Sequence, residues 1–235
     1  MKNLKFFFLI SIFSLTFSCS KEDTNSQGEI SLKFSATNTS FSRNSMSQVN
    51  ENVIIIDFKI SIRDVVFKNE SDSDSSLDTD EIQFRGPYQI DLLDNSTALS
   101  QTIGDITVPD GLYKELRFKF HKDEDLPSDN PLFDKSIYIE GTIDEIPFVF
   151  WHDTSENLDV GRYTGVNVID GVANFNVQFD ISQFLSSLHQ IDLSVATDND
   201  NDGLIEINPN DDDGNQEIAQ KLKENIKETA DLINF

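Results

Sequence analysis

Cysteine is almost missing from this chain: of 235 residues only Cys19 carries a thiol, so no intramolecular disulfide can form. A domain without such a staple must stand on its hydrophobic core. Positive charge is also scarce, with 18 Lys and Arg against 42 Asp and Glu and a formal net charge of −24. That balance excludes nucleic acid as a partner, since binding it needs a cationic stripe that displaces counterions. Catalytic signatures are absent too. The sequence holds no G-x-S-x-G elbow, no H-E-x-x-H helix and no Gly-rich phosphate loop. Its 42 acids contain every carboxylate spacing by chance, so a hydrolase built on an unrecognised carboxylate pair is only the third reading of function.

What is present begins at the N-terminus. Lys2 and Lys5 precede an apolar run from Phe6 to Phe17. A basic start and an apolar stretch of that length read as a secretory signal over residues 1–18, too short to span a bilayer. Cys19 follows directly, after Leu15-Thr16-Phe17-Ser18, and this arrangement resembles the lipobox of bacterial lipoproteins, most closely those of the Bacteroidota. The resemblance implies cleavage before Cys19 and acylation of that residue, with the chain held at a membrane by acyl groups. Ser20-Lys21-Glu22-Asp23 is similar to the tag that sends such lipoproteins to the outer face of the outer membrane, with Lys21, Glu22 and Asp23 as its charged residues. Loss of residues 1–18 removes two lysines and no acids, leaving 16 basic against 42 acidic residues and a charge of −26. Anionic headgroups repel such a surface, so the acyl anchor must hold it unaided.

Residues 19–28 read as the lipidated Cys and a polar, flexible tether, and 29–235 as a single domain. Period-two alternation dominates that domain. Ile30, Leu32 and Phe34 alternate with Ser31 and Lys33; Ile56, Phe58, Ile60 and Ile62 alternate with Asp57, Lys59 and Ser61. The phase breaks at Asp64, which predicts a β-bulge. Leu116, Phe118 and Phe120 form a third stripe, and Ala173, Phe175, Val177, Phe179 and Ile181 the clearest. One wet and one buried face per strand predicts antiparallel sheets. Asp170-Gly171 and Asp144-Glu145 are the expected hairpin turns, and Pro109-Asp110-Gly111 a third reversal. The expected class is mainly β: an antiparallel β-sandwich with a packed C-terminal α-helix. Ile218, Leu222, Ile226, Ala230 and Ile233 lie three or four apart and place that helix over 215–233, with Asp213 and Gln216 as a capping box. The acidic stretch from Glu70 to Glu81 reads as a solvated loop.

The middle of the chain carries a second resemblance. Pro87-Tyr88-Gln89-Ile90-Asp91-Leu92-Leu93, Val108-Pro109-Asp110-Gly111-Leu112-Tyr113 and Leu116-Arg117-Phe118 look like an uncharacterised family of lipid-anchored bacterial domains. The Pro-x-Gly-x-Tyr turn also occurs in transthyretin-like sandwiches. The resemblance covers roughly residues 30–195 and implies a transthyretin- or immunoglobulin-like architecture, and no activity.

The strongest candidate site is Asp198-Asn199-Asp200-Asn201-Asp202-Gly203-Leu204-Ile205-Glu206, which fits the opening of a D-x-D-x-D-G calcium loop. Alternate carboxylates Asp198, Asp200 and Asp202 face one centre, Gly203 permits the turn, Leu204 offers its carbonyl, and Glu206 ligates directly or through water. Pro209 stands where an EF-hand needs its bidentate Glu, and the flanks Ile191–Ala196 and Leu204–Ile207 read as strands. The loop is therefore expected in a β-hairpin, with Asp211 or another carboxylate completing the shell. His121 and His152, each beside carboxylates, carry the alternative reading of a copper- or zinc-capture lipoprotein. The leading expectation is a non-enzymatic envelope lipoprotein, with calcium as its ion and a protein or glycan as its partner.

Overall fold

A computed structural model describes residues 26–37, 50, 52–69, 83–184, 191–210 and 212–234. Cys19, Lys21, Glu22, Asp23, the Glu70–Glu81 stretch, His189 and Asp211 lie outside the described residues. The strands are β1 (Gln27–Thr37), β2 (Val53–Asn69), β3 (Tyr88–Asp94), β4 (Thr97–Ala98), β5 (Ser100–Pro109), β6 (Gly111–Phe120), β7 (Ile137–Ile143) and β8 (Ile146–His152). They continue with β9 (Asn157–Val168), β10 (Val172–Asp180), β11 (Ile205–Ile207) and β12 (Ala230–Asn234). A single turn of helix, α1 (Ile181–Phe184), follows β10, and the 13-residue α2 (Gln216–Glu228) precedes β12. β1 starts at Gln27, so the ordered domain takes in the last residues of the expected tether.

Two mixed sheets form a sandwich-like arrangement. The smaller has the order β12-β10-β1-β5; the larger runs β11-β8-β7-β2-β3-β4, with β6 on β2 and β9 on β6. One continuous apolar cluster joins them, including Phe34, Phe58, Phe118, Phe150, Phe175 and Phe179. Phe34 meets Phe118 edge-to-face at 5.4 Å between centroids, and Phe58 meets Phe179 at 6.0 Å. These aromatic pairs fill the space between the sheets.

β2 organises the larger sheet. Tyr88 of β3 and Phe120 of β6 both oppose Ile62, so they flank it, and β6 continues the edge that β7 occupies further back. At the junction the Ser61 N–H donates to the Ser136 carbonyl, and the Ser61 carbonyl accepts from the His121 N–H, closing the 121–136 loop against one residue. The predicted bulge lies where expected: Asp64 has φ 52° and the register jumps between Arg63 and Val66. A second register shift falls between Ile55 and Asp57, and it buries Ile55 where the alternation placed Ile56.

The antiparallel expectation is corrected at two places. β1 pairs with β10 in parallel, Ile30 opposite Ala173, and β11 pairs with β8 in parallel, Ile205 opposite Phe148. Alternation records which face is buried and is blind to strand direction. One of the expected hairpin turns, Asp170-Gly171, differs in kind, and the Pro109-Asp110-Gly111 reversal resembles it. Asp170-Gly171 links β9 of the larger sheet to β10 of the smaller, and Pro109-Asp110-Gly111 links β5 to β6 in the same way, so both are crossings between sheets. At Gly111 the constraint is space, since a Cβ there would overlap the Asn69 side chain. Asp144-Glu145 is a true two-residue hairpin turn joining β7 to β8, with φ 49° and 69°.

The C-terminal helix is shorter than its apolar stripe. It ends at Glu228; Ala230 and Ile233 belong to β12, which adds to β10 with Leu232 opposite Val177. The unpaired edge of β10 offers backbone partners that outweigh one further helical turn. α2 packs against β8 and β11, burying Leu222 and Ile226.

Candidate metal centre

The Asp loop leads into β11 and is held by Asp213 and Asn215, which lie just ahead of α2. Ahead of it the expected strand over Ile191–Ala196 is a single 3-10 turn, Leu193–Val195, capped by Asp192. Since β11 lies parallel on β8, the loop is a connection between elements and not the tip of a hairpin. Within it the Asp198 carboxylate accepts from the Asp202 N–H at 3.2 Å and from the Gly203 N–H at 3.0 Å. Asp200 accepts from Asp202 at 3.1 Å, and Asp202 from Leu204 at 2.8 Å. Asn201 and Gly203 take positive φ, 61° and 91°, which is where glycine is needed to reverse the chain.

These bonds bring carboxylate oxygens of Asp198, Asp200 and Asp202 all within 4.8 Å of one another. Ligands held at about 2.4 Å from one calcium ion lie no more than about 4.8 Å apart, so this spacing fits a shared ion. The electrostatics agree. The Asp202 N–H favours ionised Asp200, yet burial, the charges of Asp202 and Asp213 and the contact with Asp198 together raise its pKa above the ordinary carboxylate value. A divalent cation relieves that crowding. Glu206 is not brought into the set of three, and its backbone N–H is held by Asp213 at 2.9 Å. Leu204 sits beside the set, with its N–H turned to Asp202.

Asp213 is the residue that sequence reasoning misassigned. Asn215 occupies the N-cap position of α2 and makes no side-chain cap bond, so the expected capping box is not formed. Instead the buried Asp213 carboxylate accepts from the Asn199 N–H at 2.7 Å, the Asp200 N–H at 3.3 Å and the Glu206 N–H. Burial opposes its charge, and these donors outweigh burial, holding its pKa below the usual range. Asn215 completes the base, accepting from the Thr197 N–H and donating to the Thr197 and Glu206 carbonyls. The D-x-D-x-D-G spacing pointed to the loop; nothing in that spacing pointed to its buried support.

His121 and His152 stand in separate surroundings. Burial, then Arg63, lowers the pKa of His121, against Asp123 and Asp64. Burial, then Lys223, lowers that of His152, against Asp153, Gln220 and Glu156. Among the described residues only Asp198, Asp200 and Asp202 form a three-ligand cluster, and neither imidazole belongs to it.

A second polar cluster had no sequence signal. Glu156, between β8 and β9, accepts from Lys223 at 2.6 Å and from Lys227, and Glu224 accepts from both lysines. The surface carries a cleft of about 190 Å³ along Gln220, Glu224 and Glu228 of α2 and another of about 380 Å³ at Asn52, Ile54, Thr142, Asp144 and Glu145. Among the described residues no helix is long and apolar enough to cross a membrane. No family model matches this chain, and no curated protein or solved structure is significantly similar to it.

Proposed function

We propose that this chain is a lipid-anchored lipoprotein of the cell envelope, held at the outer membrane through Cys19 and facing outward. Its domain serves a non-enzymatic binding or scaffolding role, with one calcium ion held by Asp198, Asp200 and Asp202. The observation that carries the calcium part is the convergence of three carboxylates within 4.8 Å over the buried Asp213. Calcium bound there stiffens the segment between the 3-10 turn at Leu193–Val195 and β11, which is a structural role and not a chemical step.

Within that reading the sandwich is of the transthyretin- or immunoglobulin-like kind. The support is local: the Tyr113 hydroxyl donates to the Pro109 carbonyl four residues upstream at 2.9 Å, as in a tyrosine corner. The anchor rests on the run from Phe6 to Phe17 before Cys19.

Two measurements test the proposal. Fractionated cells should show the wild type in the membrane and Cys19→Ser in the soluble fraction; equal membrane association of both would sink the anchor. Calorimetry with calcium should show one site in the wild type that disappears in Asp198→Asn. Binding that persists unchanged in that variant would remove the loop as the site.

A further inference from the structure

We propose that the corner carrying Ile169 and Val172 is the membrane-contacting pole of the domain, seated on an uncharged lipid surface; this deepens the lipid-anchored reading and rests on it. The described chain starts at Ser26, and Ser26 is bonded into this corner. Its hydroxyl donates to the Asp110 carboxylate, its carbonyl accepts from the Asp110 N–H, and Asp110 in turn accepts from the Asp170 N–H. The Glu29 N–H donates to the Gly171 carbonyl, fixing the Ile169–Val172 crossing against the first turn of β1. The flanking side chains are the two most exposed large apolar residues of the described structure, Ile169 and Val172, each 61% exposed. Single exposed apolar side chains are ordinary on a protein surface. Two on either side of one crossing, at the spot where the tether enters, are not scattered.

Reach selects the same corner. Six residues lie between Cys19 and Ser26, and the seven steps from one to the other span at most about 25 Å when fully extended. β2 runs 17 residues from Val53 to Asn69, about 50 Å of strand. Its Asn69 end pairs with Tyr113 beside this corner, whereas Val53 pairs with Ile143 beside the Asp144-Glu145 turn. The Ile169–Val172 corner therefore lies at the tethered end, while the Asp144-Glu145 turn, with Ile146 after it, lies at the far end.

Charge determines which lipid. Asp110 and Asp170 stand in the corner itself. Anionic headgroups repel these groups within about a Debye length, so the apolar pair meets a zwitterionic surface in preference to an anionic one.

The test uses the lipidated full chain in phosphatidylcholine vesicles, with an environment-sensitive dye on Val172→Cys and, separately, on Ile146→Cys at the far end. Both sites are exposed, so neither substitution disturbs the core, and Ile169→Cys supplies a second probe of the corner. The expected result is a blue shift and loss of aqueous quenching at 172 and 169, none at 146, and a smaller shift when phosphatidylglycerol is added at low salt. If the protein floats with the vesicles while the dye at 172 stays in water, or if 172 and 146 shift alike, the inference is overturned and the anchor survives. If the parent chain takes up dye at Cys19 and does not float, the anchored reading itself has failed and the inference with it.

Discussion

Lys223 of α2 donates to Glu156, in the connection between β8 and β9, at 2.6 Å, with the lysine side chain only 6% exposed. This pair, 67 residues apart in sequence, fastens the C-terminal helix to the larger sheet. Lys227 joins from the next turn of the helix. Because the Glu156 side chain remains 46% exposed, its removal costs less than breaking a fully buried pair. Glu156→Gln should destabilise the domain by about 1–2 kcal/mol in chemical denaturation. The same lysines hold the Glu156 pKa down to about 2. A carboxyl with a depressed folded pKa stabilises above its ordinary value near 4.5 and loses that contribution as pH falls toward 2. The variant should lack this part of the acid loss. Equal denaturation midpoints for both proteins at pH 7 would show that the pair does not hold the helix.

His152 adds a second acid sensitivity beside the same helix, in a higher pH window. Its imidazole ends β8, with Nδ1 3.6 Å from an Asp153 oxygen, and burial followed by the charge of Lys223 lowers its pKa. The unfolded chain therefore takes up this proton first, and stability falls as pH drops below about 6.5. His121, lowered by burial and Arg63, adds to the same window. Melting followed between pH 7.5 and 5.5 should show a shallower loss in His152→Gln than in the wild type, and shallower again when His121→Gln is added. Parallel curves for all three would mean that neither imidazole is held neutral.

Asp213 supports the loop from below through three backbone N–H donors. Asp213→Ala leaves those donors without their acceptor and should cost about 2–3 kcal/mol. Asp202→Ala, at an exposed position, should cost much less in calcium-free buffer. A reversed order of the two would place the structural weight in the loop rather than beneath it.

The Asp144-Glu145 turn holds two non-glycine residues at positive φ, and Asn52 donates to Asp144 at 2.6 Å. Glu145→Gly keeps that bond and removes a side chain from the left-handed region. It should stabilise the domain by about 0.5 kcal/mol, the relief of the Cβ clash exceeding the entropy that glycine brings to the unfolded chain. A lower melting temperature in the variant would contradict this account of the turn.

These residues also mark what a sequence can disclose. Phe175, Val177 and Phe179 announced a half-buried strand, and the phase break announced the Asp64 bulge, because burial and bulging act on the period itself. Strand direction left no such trace, so the parallel pairing of β1 with β10 was invisible. The spacing of Ile226, Ala230 and Ile233 satisfied a helix, and only the free edge of β10 turned Ala230 onward into strand. The Asp loop was legible since its three carboxylates are close together in the chain. The Glu156–Lys223 contact was not, for it depends on how β8 and α2 pack.

Calcium held by Asp198, Asp200 and Asp202, as proposed, would stabilise the folded domain over the unfolded chain. The most direct measurement is thermal unfolding with and without calcium in the wild type and in Asp200→Ala. With calcium a hundredfold above its dissociation constant the wild type gains about 2.7 kcal/mol, roughly 5–10 °C in melting temperature for a domain of this size. Asp200→Ala should show no such gain. An unshifted wild type, or an equal shift in both proteins, would contradict the account.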